Sequence, residues 1–180
     1  MTDLVKRTSD ILRANATRWG ELAENLDWEL LTRRPAPGQW SAFDCLAHAM
    51  NTEGAVFAAR VRSIRDGIPT IQRYDPEKHG IKITSETEPA QFVARHAALR
   101  AESLALLATL TETDLDKTAI HSELGVISMR DLLNEWSAHE LMHIVQAERA
   151  IMQAFIPGTG PWRSYFADHD VEAREPVSYG

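Results

Sequence analysis

The stretch from Ser128 to Ile156 contains no proline and no glycine. An uninterrupted run of this length predicts one long helix, because proline and glycine are the residues that most disfavour a helix interior. The middle of the run is strongly apolar, with Leu141, Met142 and Ile144 close together. We therefore expect this helix to pack inside a bundle of helices.

Two histidines, His139 and His143, lie four residues apart in this predicted helix. Side chains at this spacing share one helix face, so their rings can bind the same metal ion. Neutral imidazole is a favoured ligand for zinc, nickel and iron. The alternative is that both are core histidines bonded to backbone carbonyls. Two ligands do not complete a metal site, and a third donor must come from elsewhere in the chain.

Composition limits the number of domains, the kinds of partner and the cellular location that can be expected. The 180 residues, 44% of them hydrophobic, predict one domain, residues 1–180, with an ordinary core. The net charge of −7 argues against a nucleic-acid partner, which usually requires a basic face. No apolar run is long enough to span a membrane, and no signal peptide is visible. The single Cys45 cannot form an internal disulfide, which fits a cytoplasmic protein.

Apolar spacing, together with breaking and capping residues, predicts four helices. They run from about Leu4 to Leu31, from Ser41 to Gly67, from Pro89 to Leu110, and from Ser128 to Ile156. The segments between them, residues 67–88 and 111–128, read as long irregular loops, and no strand is predicted. This pattern favours an all-α four-helix bundle with long connecting loops. The C-terminal tail, residues 157–180, is expected to pack on the body through Trp162, Tyr165 and Phe166.

Residues at two helix starts carry a capping signal. Ser41 is followed three residues later by Asp44, and Ser128 by Asp131. Such pairs satisfy the free backbone N–H groups of a first helical turn. We predict that Ser41 and Ser128 are N-caps; Asp44 can alternatively hydrogen-bond His48 from the preceding turn.

Five further histidines are candidates for the third metal ligand: His48, His79, His96, His121 and His169. His48 lies in the middle of the second predicted helix, among apolar residues. Together with His139 and His143 it would supply three nitrogens and leave a metal position open for water or substrate, as in catalytic sites. We expect the other four to be surface or structural residues.

Several short motifs, in this order, resemble the DinB/YfiT-like superfamily. They are Pro37-Gly38-Gln39-Trp40-Ser41, Leu46-Ala47-His48, His139-Glu140 with His143 and Gln146, and Gly160-Pro161-Trp162-Arg163-Ser164-Tyr165-Phe166. The resemblance covers nearly the whole chain. It implies a four-helix bundle with a divalent metal ion (zinc, nickel or iron) at His48, His139 and His143, and it makes a homodimer plausible. Members of the superfamily resemble thiol-dependent S-transferases and isomerases or metal-dependent hydrolases.

The sequence His139-Glu140-Leu141-Met142-His143 also fits the H-E-x-x-H motif of zinc proteases, in which the glutamate is the general base. The extended form of that motif fails at Gln146 and Arg149. Glu172 and Glu175 remain as downstream ligands for the shorter form, but no strand to line a protease cleft is predicted.

Five other residues near the histidines have candidate roles. Glu140 is the tentative catalytic residue, because it flanks the predicted metal and can orient water or accept a proton; its alternative is an exposed helix glutamate. Gln146 can support His143 from the same face. Cys45 is a soft ligand, a reactive thiol or, as we favour, a buried filler. Trp40 and Trp136 are expected in the core or in a pocket wall.

The sequence therefore predicts a metal-dependent enzyme that transfers a low-molecular-weight thiol to a small electrophile. Metal-assisted hydrolysis of a small molecule by activated water is the alternative enzyme activity. A non-catalytic metal-binding or stress-response module is the alternative outside enzymes.

Overall fold

The computed structural model describes residues 2–75 and 87–171. Its six α-helices are α1 (Asp3–Asn25), α2 (Trp28–Thr32), α3 (Ala42–Thr52), α4 (Ala59–Arg65), α5 (Pro89–Leu107) and α6 (Met129–Met152). The helices α3 and α4 are joined without a loop by a π-helical segment, Glu53–Ala58. Two 3₁₀ segments, Thr113–Asp116 and Ile156–Phe166, complete the helical part of the described residues.

Four rods make up the bundle: α1, the continuous α3–π–α4 rod, α5 and α6. Helix α1 packs against both α5 and α6, and α3 packs against the same two helices. The apolar spacing of the sequence explains this arrangement, since Leu12 and Trp19 of α1 and Leu133 and Trp136 of α6 are all buried. The predicted all-α four-helix bundle is confirmed.

A small sheet stands where the sequence predicted only loops. The strands are β1 (Thr70–Ile71), β2 (Thr118–His121) and β3 (Gly125–Ser128), in the order β1-β2-β3. β1 is parallel to β2, and β2 forms an antiparallel hairpin with β3. The prediction that the chain has no strands is therefore wrong. Strands of two to four residues are too short to reveal an alternating pattern in the sequence.

The first predicted helix is interrupted. α1 ends at Asn25, and Leu26 is extended before the short α2 begins at Trp28. The break allows Trp28 to meet the ring of Phe43 edge-on, with centroids 4.8 Å apart, and buries Leu31. The prediction of one continuous helix to Leu31 is wrong because these contacts outweigh helical continuity.

The fourth helix also ends earlier than predicted, at Met152. Gln153 follows it, and its side-chain amide donates to the carbonyl of His169 at 3.0 Å and accepts from Val171 N at 3.1 Å. These bonds tie the part of the tail around residues 169–171 to the end of α6. Packing of the tail aromatics on the body was predicted wrongly for Trp162 and Tyr165, which are 62% and 79% exposed.

Candidate metal centre

His48 lies in the second turn of α3, whose start is fixed by the predicted capping box. The amide of Asp44 donates to Ser41 Oγ at 3.1 Å, and Ser41 N donates back to the Asp44 carboxylate at 2.9 Å. Asp44 also pairs with Arg34 at 3.1 Å. Asp44 therefore acts as a cap, and its bonds to Ser41 and Arg34 replace the alternative contact with His48.

His139 and His143 lie near the middle of α6. The second predicted capping box begins this helix, with Ser128 N donating to Asp131 at 2.8 Å and Asp131 N donating to Ser128 Oγ at 3.2 Å. Strand β3 ends at Ser128 and α6 starts at Met129, so no loop separates the hairpin from this helix. The rotation of α6, and hence the direction of both histidines, is fixed from its first residue.

The bundle brings His48, His139 and His143 together. The Nε2 atoms of His48 and His139 are 3.1 Å apart, and the ring centroids of the three histidines are 4.4–5.1 Å apart. One nitrogen from each ring lies within 4.8 Å of the other two. We call this group the three-histidine centre.

The spacing of these nitrogens fits a divalent metal ion. Two imidazole nitrogens at zinc-ligand distance in a tetrahedral site lie about 3.3 Å apart. The observed 3.1 Å between His48 and His139 is close to that separation. A donor set of three imidazoles suits zinc, nickel or iron, and three ligands leave a coordination position open.

The hydrogen bond of His143 favours the tautomer that metal binding needs. Its Nδ1 lies 2.9 Å from Gln146 Oε1. The amide oxygen only accepts, so Nδ1 carries the proton and the Nε2 lone pair is left for a ligand. The predicted support of His143 by Gln146 is thus present as a direct contact. Nδ1 of His139 has no hydrogen-bond partner within the described residues.

The three rings are uncharged at neutral pH. Burial lowers the pKa of His48 to about 4, with a further contribution from His143. Burial and the two neighbouring histidines lower the pKa of His139 to about 3. Burial also lowers the pKa of His143, against the hydrogen bond to Gln146. Neutral imidazole is the form that binds metal, so all three side chains are in the ligating state.

Aromatic residues form the wall of the centre. The ring of Trp40 stacks on His143 at 5.7 Å and lies 5.0 Å from His48. Phe57 meets His139 edge-on at 5.0 Å and is itself stacked on the buried Trp136. The prediction that Trp40 and Trp136 belong to the core or to a pocket wall is confirmed.

Glu140 lies outside this centre, although it is next to His139 in sequence. Its carboxylate is 1% exposed and pairs with Arg100 Nη2 at 2.8 Å. Arg100 also pairs with Glu53 at 2.8 Å and approaches His96 Nε2 at 3.1 Å. The guanidinium of Arg100 also donates to the carbonyl of Leu12. We call Arg100, Glu53, His96 and Glu140 the Arg100 cluster.

The Arg100 cluster changes the interpretation of two predictions. Glu140 is buried, so the alternative of an exposed helix glutamate is wrong. Because its carboxylate is already paired with Arg100, we do not assign it the proton-accepting role. The protease interpretation loses its general base for the same reason. Sequence reasoning missed Arg100, although an arginine four residues after His96, within an apolar stripe, is the signal that could have revealed it.

The remaining candidates are separate from the centre. Cys45 is fully buried and burial raises its pKa, which confirms its interpretation as a filler. His121 is 5% exposed in strand β2 and not a loop residue, and His96 is buried in the Arg100 cluster. His169 follows the last 3₁₀ segment, and His79 lies outside the described residues, as do Glu172 and Glu175.

Comparison with known proteins agrees with this architecture. The sequence profile described as the DinB superfamily matches residues 11–147. This chain belongs to the DinB superfamily. The match includes His48, His139 and His143, so the whole three-histidine centre lies inside the region that matches the family.

Two relatives extend the comparison. An Oceanobacillus iheyensis protein that carries the name "putative metal-dependent hydrolase" is 22% identical over 134 residues, 74% of this chain and 78% of its own. The solved structure of Bacillus subtilis YfiT is described as a probable metal-dependent hydrolase with an unusual four-helix bundle topology. It matches with a TM-score of 0.72 and 17% identity, over 86% of this chain and 90% of YfiT. The likeness to YfiT shows that the two share a fold.

Among the described residues, no helix is both long and apolar enough to cross a membrane.

Proposed function

We propose that this DinB-superfamily protein is a metal-dependent hydrolase of a small molecule, with His48, His139 and His143 as the ligands of one divalent ion. The observation that carries the proposal is the convergence of three neutral histidine nitrogens, with 3.1 Å between Nε2 of His48 and Nε2 of His139. The names of the Oceanobacillus protein and of YfiT support the same activity. A divalent ion held there would activate water for attack on the substrate.

Residues around the three histidines would shield the site from water and hold its ligands in position. Trp40 and Phe57 cover the histidine rings and limit the access of bulk water to them. Gln146 would hold the ring of His143 in one orientation. Glu140 would act as a positioning residue, since its ion pair with Arg100 fixes α6 beside His139.

Glu135 is our candidate for the proton acceptor. It lies one helical turn before His139 on the same side of α6, and its carboxylate forms no hydrogen bond or ion pair within the described residues. Its side chain is exposed, but desolvation by the surrounding protein still raises its pKa, with Arg60 opposing the shift. A raised carboxylate pKa brings a base closer to neutral pH, where it is more effective.

Transfer of a low-molecular-weight thiol is the second candidate activity. Three uncharged ligands would leave the full charge of the ion to stabilise a thiolate as well as hydroxide. Cys45 would take no part, because it is buried and its raised pKa keeps the sulfur protonated.

Metal content tests the proposal first. We would purify the untagged wild-type protein, load it with zinc, nickel or iron, and measure metal per chain by mass spectrometry. About one ion per chain is expected in the wild type, and nearly none in His48→Ala, because two ligands hold a metal weakly. His169→Ala, a histidine outside both clusters, is the matched control and should keep its metal. Equal retention in His48→Ala, in a variant whose circular dichroism is unchanged, would refute this ligand set.

Turnover then separates the two activities. The loaded protein would be assayed with a panel of small esters, amides and phosphoesters, and with a panel of thiols and electrophiles. Hydrolysis that is lost in His48→Ala and reduced at least about tenfold in Glu135→Gln supports the proposed hydrolase and its base. Metal-dependent thiol conjugation without hydrolysis would establish the second activity instead.

A further inference from the structure

A groove with a mixed polar and apolar lining runs between the second rod of the bundle and strand β1. Its volume is about 400 Å³, within the range of small-molecule sites. Arg60 and Ser63 of α4 line one side, and Thr70, Gln72 and Arg73 line the other. None of the described residues that line it is acidic. This is unexpected in a chain with a net charge of −7, and we call it the Arg60 groove.

Only one of the three guanidinium nitrogens of Arg60 makes a polar contact with another described residue. Its Nη2 donates to the carbonyl of Gln72 at 3.1 Å and faces Nε2 of His121 at 3.2 Å. Its Nε and Nη1 have no hydrogen-bond or ion-pair partner in the described part of the chain. Arginine carries five N–H donors and no acceptor, so this side chain has donors to spare.

His121 adds a donor that its neighbours leave unsatisfied. The backbone amides of Glu123 and Leu124 both donate to its Nδ1, at 3.2 and 3.3 Å. Nδ1 is therefore an acceptor, and the proton of the neutral ring lies on Nε2. That N–H faces the Nη2 of Arg60, which is also a donor. Two donors meet with no acceptor between them, although the His121 side chain is 95% buried.

A negatively charged oxygen would satisfy both groups. A buried donor without a partner costs free energy, and a charge-assisted hydrogen bond recovers more than a neutral one. Burial lowers the pKa of Arg60, which reflects the cost of keeping this cation away from water. Glu135 offsets that cost only in part, since it acts on Arg60 from beyond ion-pair distance.

We propose that the Arg60 groove binds an oxyanion group, a carboxylate or a phosphate, of a small molecule. Arg60, which lines the groove, is the main donor, and Nε2–H of His121, which is not a lining residue but lies 3.2 Å from Arg60 Nη2, is the second. Two links connect the groove with the three-histidine centre: Val56 of its lining precedes Phe57, which contacts His139, and Arg60 interacts electrostatically with Glu135, one turn before His139. The inference thus deepens the proposed hydrolase, on which it rests, by assigning it an anionic substrate.

Titration with inorganic phosphate and with acetate tests this site. Both anions would be added at constant ionic strength, with chloride as the balancing ion, to metal-free and metal-loaded protein. Binding would be followed through the arginine Hε–Nε NMR signal that Arg60→Gln removes, and by calorimetry. Arg62→Gln is the matched control, because Arg62 lies two residues along the same helix, is exposed, and does not line the groove.

We expect saturable binding to metal-free wild-type protein, at least about tenfold weaker in Arg60→Gln and unchanged in Arg62→Gln. Binding of either anion supports the site, and the preferred one identifies the oxyanion class. The absence of saturable binding would overturn the proposal, as would equal weakening in both variants. Binding that needs metal and survives Arg60→Gln would also overturn it, by placing the anion on the ion. Anion binding to the metal-free protein does not depend on metal content. A failure to bind anions would therefore leave the hydrolase proposal standing, and a failure to bind metal or to hydrolyse substrates would leave the anion site standing.

Discussion

The three-histidine centre and the Arg100 cluster are two groups of metal-ligand side chains inside one bundle. In each group, three donor atoms lie within 4.8 Å of one another: His48, His139 and His143 in the first, and Glu53, His96 and Glu140 in the second. Neighbouring residues of α6, His139 and Glu140, belong to different groups. Geometry alone would make both groups candidates for a metal.

Charge separates the two groups. The histidines of the centre are neutral and converge with no cation between them. In the Arg100 cluster the guanidinium already bonds to both carboxylates at 2.8 Å and approaches His96. All four side chains of that cluster are at least 98% buried. The comparison teaches that a set of ligand atoms becomes a metal site only where no protein cation already satisfies it.

Removal of the guanidinium should produce the largest effect. Arg100→Met leaves Glu53 and Glu140 buried without a counter-charge, so we expect a loss of about 3–5 kcal/mol in the free energy of unfolding. Urea denaturation followed by circular dichroism measures it, with Arg62→Met as the exposed control.

A second variant shows whether charge is the cause. Combining Arg100→Met with Glu53→Gln and Glu140→Gln removes both unpaired carboxylates and should recover part of the loss. A loss below about 1 kcal/mol in Arg100→Met alone would mean that the cluster is not held by this ion-pair network.

Acid should destabilise the Arg100 cluster through His96. Burial, with a contribution from Arg100, lowers the pKa of His96 to about 3, whereas an unfolded histidine titrates near 6.5. The unfolded state therefore binds the extra proton first, and stability falls as the pH drops from about 6.5 toward 3. Between pH 7 and 5 the contribution of His96 is about 2 kcal/mol.

Unfolding of the wild type and His96→Gln at several pH values measures this contribution. Both proteins contain the three-histidine centre, so the contribution of its histidines cancels when the two stability curves are subtracted. The wild type should lose more stability with acid than the variant does, whereas His169→Gln should follow the wild type. Parallel curves for the wild type and His96→Gln would show that His96 is protonated equally in the folded and unfolded states.

A smaller effect is expected from the residue that orients His143. Gln146→Leu removes the acceptor for Nδ1 and frees the ring to rotate, so metal affinity should fall about tenfold with stability nearly unchanged. Competition with a chelator of known affinity measures the change. Gln91→Leu, an exposed glutamine on α5, is the matched control. Unchanged affinity in Gln146→Leu would remove Gln146 from the support of the centre.

Much of the bundle could be predicted from local sequence. The capping pairs Ser41–Asp44 and Ser128–Asp131 are local signals, and both helices begin where those pairs place them. The proximity of His139 and His143 follows from helical periodicity. His48 was one of five candidate third ligands, favoured by its apolar helix and by the family resemblance, because no local pattern tells which helix faces α6.

Other features depend on contacts between distant segments. The parallel pairing of β1 with β2 joins residues about 50 positions apart, and the strands of the local β2–β3 hairpin are too short to leave a period in the sequence. The environment of Glu140 was hidden because its partner Arg100 lies on another helix. The predicted homodimer and cytoplasmic location stay predictions.

The π-helical segment has a consequence for how this chain is aligned with its relatives. His48 and Phe57 both contact the ring of His139, at 5.1 and 5.0 Å. Nine residues of regular α-helix would put them about half a turn apart, on opposite faces. The extra residue within the π-helical segment Glu53–Ala58 reduces that separation to about 80°, so both residues lie on the side of the rod that faces His139. A relative with a regular α-helix here would need one residue fewer between the positions of His48 and Phe57 to keep both contacts. In an alignment, a one-residue gap in the relative near Gly54 would therefore indicate that both contacts are kept.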